Sequence, residues 1–106
     1  MSKNDHIYIN ADSGITEYYT PSFIVDSARV VMGHISLDPF SSYEANQCVR
    51  ASIYMNVYDG SLEKQWWGNV WMNHPYGRKM NGMCINKLVN EYVAGNVSSA
   101  CCITFA

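Results

Sequence analysis

Val70-Trp71-Met72-Asn73-His74-Pro75-Tyr76 is a short apolar run that stops at an amide, an imidazole, a proline and an aromatic ring. The run has the composition of a β strand, with Val70 and Met72, or else Trp71, facing the core, and Pro75 cannot continue a central strand. In an open α/β sheet, ligands bind beyond the carboxyl ends of the strands, so a polar strand end is a place to look for chemistry. This one suits a flat polar ring. The Asn73 side chain and nearby backbone carbonyls can accept from an exocyclic amine, and Tyr76 can stack on the ring that carries it.

Working outward, Gly77-Arg78-Lys79-Met80-Asn81-Gly82 reads as a polar loop. Ile85, Leu88, Val89 and Tyr92 then recur at spacings of three and four, which predicts a helix over 83–93 with Gly95 as its stop. Ala100 to Phe105 is a continuous apolar run of the kind found in buried parallel strands.

Upstream of the central run, Ser52 to Tyr58 has uneven β character and closes at Asp59-Gly60. Ser41, Ser42 and Glu44 offer caps for a helix over 43–50 that carries Ala45, Cys48 and Val49 on one face. His34 to Pro39 reads as a buried strand ended by Pro39 and presenting Asp38, which serves as a ligand acceptor or as a cap for the helix that follows. Thr20 as N-cap and Pro21 at the first helical position open a helix over 21–32, ended by Gly33. Residues 1–16 form a polar arm with a turn at Asp12-Ser13-Gly14. Strand and helix alternate, which implies right-handed crossovers and a mostly parallel sheet flanked by helices.

Composition narrows the function classes. The 106 residues are 48% hydrophobic and 15% charged, which is globular rather than disordered, and the formal net charge is −2. Of the basic residues only Arg78-Lys79 are adjacent, which argues against tight non-specific binding to nucleic acid by this segment alone, so any role on DNA must be local or borrowed from elsewhere. That pair is a solvated loop or a phosphate contact. Cys48, Cys84, Cys101 and Cys102 lack a Cys-x-x-Cys pair or a His at zinc spacing, and the chain opens without a secretory leader, so reduced thiols and a cytoplasmic location are expected, with Cys101-Cys102 in the core. No run approaches the roughly 20 apolar residues that span a bilayer, so no membrane partner is expected.

The two strand ends, Asp38-Pro39-Phe40 and Asn73-His74-Pro75-Tyr76, point to one edge of a parallel sheet and can share a cleft. With these pieces in place the sequence resembles the phage and prophage DNA adenine methyltransferases related to Dam. The matching stretches are Glu17-Tyr18-Tyr19-Thr20-Pro21, Leu37-Asp38-Pro39-Phe40 followed by Glu44-Ala45-Asn46, Asp59-Gly60 with Trp66 or Trp67, and Val70 through Arg78. The likeness covers residues 17–106, and the combination is far more specific than any one motif.

The resemblance implies a partial Rossmann-like methyltransferase fold that takes S-adenosylmethionine as cofactor and methylates the exocyclic amine of a flipped-out adenine in DNA. By that likeness Tyr19, Thr20 and Pro21 hold the methionyl part, and Asp38, Pro39 and Phe40 form the cofactor motif. Asn73, His74, Pro75 and Tyr76 form the catalytic motif, in which Asn73 and a backbone carbonyl hold the amine while Tyr76 stacks on the base. No metal is implied, and catalysis rests on in-line positioning.

The sequence departs from the family pattern at His74, which fills the position of the first of two prolines, where the backbone carbonyl is the functional group. Full members also continue past the last strand. The domain over 17–106 is therefore expected to be incomplete, with the edge of its last strand paired by the arm or by a second subunit. Two other readings fit the sequence. One is a non-enzymatic phage protein of this fold that binds and inhibits a host defence protein of restriction or CRISPR type in the host cytoplasm, using Trp66, Trp67 and Tyr58 as exposed aromatics. The other is a structural α/β module whose aromatics are only core.

Overall fold

The computed structural model describes residues 8–10, 15–17, 20–56, 59–75 and 77–104. Tyr19, Tyr58, Tyr76, Phe105 and the turn at 12–14, all named above, lie outside the described residues. The elements in order are β1 (Tyr8–Asn10), β2 (Ile15–Glu17), α1 (Ser22–Met32), β3 (Leu37–Ser41), α2 (Tyr43–Val49), β4 (Ile53–Asn56), a 3-10 turn (Ser61–Glu63), β5 (Gly68–Asn73), α3 (Arg78–Val93) and β6 (Val97–Ile103).

β3 to β6 form a four-stranded sheet in the order β4-β3-β5-β6, and each neighbouring pair is parallel. The chain runs outward from β3 to β4, then returns to the other side of β3 for β5 and β6. The strand order therefore reverses between β3 and β5, which is the switch point where a crevice opens at the carboxyl edge.

Both faces of the sheet are covered, as a parallel sheet requires. On one face Leu37, Val70 and Met72 pack with Met55, Trp66 and Val97 against Cys84 and Leu88 of α3. On the other, Trp71 and Ile35 pack against Val25 and Ala28 of α1 and Val49 of α2. Val70 and Met72 on one side and Trp71 on the other show the period of two along β5, so both alternatives for its core face are filled.

Local signals explain the short elements. Ser42 caps α2 by accepting from the Ala45 amide at 3.0 Å. Gly33 ends α1 at a φ of 90°, with its amide donating to the Arg29 carbonyl at 2.7 Å. After β4, the Asp59 carboxylate accepts from the Asn56 amide at 2.8 Å and turns the chain.

Several expectations are corrected. Thr20 does not cap α1: Pro21 occupies the N-cap, no side chain caps it, and its carbonyl accepts from the Ile24 amide at 3.0 Å. Pro39 lies inside β3 rather than ending it, because the ladder to β4 shifts register between Asp38 and Ser41, where a missing N–H does no harm.

The stretch 78–82 is the first turn of α3 rather than a loop. Met80 packs against the core and Asn81 meets Thr104, and these tertiary contacts outweigh the cost of Gly82. β6 begins at Val97 and is an edge strand with Ala100, Cys102 and Ile103 exposed, so its apolar run is not buried; Cys101 is half-buried against the α1 and α2 face. The arm does not extend the main sheet: β1 and β2 pair antiparallel as a hairpin of their own. Trp66, which the reading as a binding protein places on the surface, is fully buried, whereas Trp67 is exposed. The Trp66 indole donates to the Ser61 carbonyl at 2.9 Å and its ring meets Phe40 edge-on at 5.7 Å.

Candidate functional site

At the switch point the described residues form a cleft of about 110 Å³ lined by Thr20, Asp38, Phe40, Trp71 and Asn73 together with one face of α2. Each wall has a local cause. Trp71 and Asn73 are two apart on β5 and so face the same side, towards α1 and α2. Asp38 neighbours Leu37, which faces α3, and so projects into the cleft. Ala45, Cys48 and Val49 share one face of α2, and Val25 comes from the first turns of α1.

Two polar features organise the cleft. The Asn73 side-chain amide donates to the Thr20 hydroxyl at 3.2 Å, across 53 residues of chain. With Nδ2 committed to Thr20, the Asn73 carbonyl Oδ1 remains to accept from a ligand amine. Asp38 is 2% exposed, and the Phe40 amide donates to its Oδ1 at 3.1 Å. Burial pushes its carboxyl up to about 7, against the lowering effects of the Phe40 amide and the Ser41 hydroxyl. A buried carboxylate that opens on a cleft with so little local compensation is an acceptor for hydroxyl or ammonium groups.

The structure thus brings together Thr20, Asp38, Phe40 and Asn73 of the residues singled out in the sequence. Pro21, Pro39 and Pro75 shape the backbone beside the cleft without lining it. His74 turns away from it: strand alternation sends the ring towards α3 and β6, where it is 2% exposed, with Nδ1 at 2.8 Å from the Pro75 carbonyl and Nε2 at 2.8 Å from the Thr104 hydroxyl. The cleft-lining residues not assigned to the site from sequence are Val25, Glu44, Ala45, Cys48, Val49 and Trp71. The shared face of Ala45, Cys48 and Val49 was visible as a helical stripe, but only the packing of α2 on β3 turns that stripe into a wall.

Arg78 and Lys79 are exposed at the start of α3. Among the described residues no helix is long and apolar enough to cross a membrane. No family model, curated protein or solved structure matches the chain.

Proposed function

We propose that the chain is an S-adenosylmethionine-binding methyltransferase domain directed at the exocyclic amine of adenine in DNA. The observation that carries this reading is the meeting of Thr20, Asp38 and Asn73, from three separate segments, in one cleft at the switch point of a parallel sheet. The donor set fits. Asp38 accepts the hydroxyl or ammonium groups that such a cofactor carries, and Phe40, Ala45 and Val49 give the apolar wall that a ring needs.

At about 110 Å³ the cleft is smaller than the roughly 300–1,000 Å³ of pockets that enclose a whole drug-sized ligand, so it holds a part of the cofactor. When bound, the cofactor supplies an activated methyl group. The chain's own residues hold and orient: Asp38 anchors the donor side, Asn73 Oδ1 accepts an N–H of the amine, and the Asn73–Thr20 hydrogen bond fixes the angle at which it does so. Neither step needs a strong base.

Isothermal titration with S-adenosylmethionine decides the first half of the reading. Binding that is lost in Asp38→Ala supports it, and no detectable heat with the natural chain at millimolar cofactor rules it out. Transfer of labelled methyl to adenine-containing DNA tests the second half. If Asn73 acts on the amine, Asn73→Ala lowers kcat on the order of 100-fold, the scale seen when one transition-state hydrogen bond is removed.

A further inference from the structure

His74 follows the site residue Asn73, yet its ring does not face the cleft. We propose that His74 is a positioning residue, whose imidazole ties the Asn73–Pro75 strand end to β6 and α3 through Thr104 and Asn81. The proposal rests on the methyltransferase reading only for the role given to Asn73.

The contacts run in one line through the ring. The Pro75 carbonyl can only accept, so Nδ1 donates to it across 2.8 Å. Nε2 lies 2.8 Å from the Thr104 hydroxyl, and that hydroxyl in turn donates to the side-chain oxygen of Asn81. The ring is 2% exposed, so these contacts hold it in a fixed orientation between the strand end and its neighbours.

The consequence is mechanical. Asn81 stands in the first turn of α3 and Thr104 directly follows β6, so the carboxyl end of β5 is clamped to both neighbours on the side opposite the cleft. A proline at position 74 would restrict the strand end through its fixed φ. Here the imidazole restricts it by hydrogen bonding to the next carbonyl in the chain. Both ring nitrogens are engaged, so His74 is not a proton acceptor for the reacting amine.

The experiment is nuclear magnetic resonance on the isotope-labelled chain, with Thr104→Val and Thr104→Ser as variants. Thr104→Val keeps the shape and removes the hydroxyl. It should move the Asn73 side-chain amide resonances and weaken S-adenosylhomocysteine binding about tenfold, the worth of one hydrogen bond. Thr104→Ser should restore both. Asn73 resonances that stay in place in Thr104→Val overturn the proposal. If the natural chain binds no S-adenosylhomocysteine, the methyltransferase reading fails, while the resonances still decide the role of His74.

Discussion

The buried carboxyl of Asp38 links stability to one proton, and would link the binding of the proposed cofactor to the same proton. The folded chain holds that proton up to about 7, whereas the unfolded chain releases it near 3.8, so folding takes up a proton between those values. The Asp38 contribution to stability is therefore full below pH 3.8 and falls as pH rises towards 7, by on the order of 4 kcal/mol at most. Asp38→Asn should raise the unfolding free energy at pH 8 by about 2–4 kcal/mol, read as a higher urea midpoint, and leave it unchanged below pH 3.8. A gain independent of pH would show that the charge is not the cause. A ligand that donates hydrogen bonds to Asp38 favours its ionised form, so binding near pH 7 should expel a proton. Calorimetry in two buffers of different ionisation enthalpy reads that release directly, and equal heats would argue that the ligand does not reach Asp38.

At the scale of elements, the amino ends of β3 and β5 are held by close backbone packing. Gly68 has a φ of 68°, and a Cβ placed there would come within 2.5 Å of the Ser36 hydroxyl, beside the shift in the β5–β6 ladder. Gly68→Ala should cost about 2–4 kcal/mol from the left-handed backbone and the clash together, read as a lowered midpoint with the denaturant slope unchanged. Glu91 on α3 anchors the approach to β5. The Trp66 amide is the main cause that holds its carboxyl below the ordinary glutamate range; burial opposes this, while Asn96 and Lys87 add to it. Its contribution is present above the ordinary glutamate range and is lost as pH falls through the lower folded value. Glu91→Gln should thus destabilise by about 1.5–3 kcal/mol at neutral pH and by less in acid. The helices α1 and α2 were legible because period and punctuation agree, with Gly33 and Ser42 placed where helices end and begin. The start of α3 was not, since 77–82 is polar and glycine-bearing and becomes helical through Met80 in the core and Asn81 at Thr104. Asp38 and Asn73 were legible as polar residues closing apolar strands, and their meeting with Thr20 was implied by family likeness. The outward turn of His74 follows from counting by twos along β5, but its clamp needs β6 and α3 in place.

For the whole molecule, the sheet has β4 and β6 at its edges, and the hairpin β1–β2 joins neither. Val97–Ile103 contains no charge and no proline, the usual means by which an edge discourages pairing. Ala100→Lys, at an exposed position on β6, should reduce concentration-dependent association in sedimentation velocity. Equal association by the natural and altered chains would exclude this edge as its cause. The cleft itself draws on Thr20, Asp38 and Asn73, so its walls exist only once the helices and the central strands have docked. If the cleft takes the proposed cofactor, no fragment of the fold can hold it, and occupancy would act on global unfolding rather than on a local opening. At a hundredfold excess over Kd, that linkage is worth about 2.7 kcal/mol, comparable to a strong core contact. In a cell the supply of ligand would thereby set how long the chain survives proteolysis, as well as whether it is loaded.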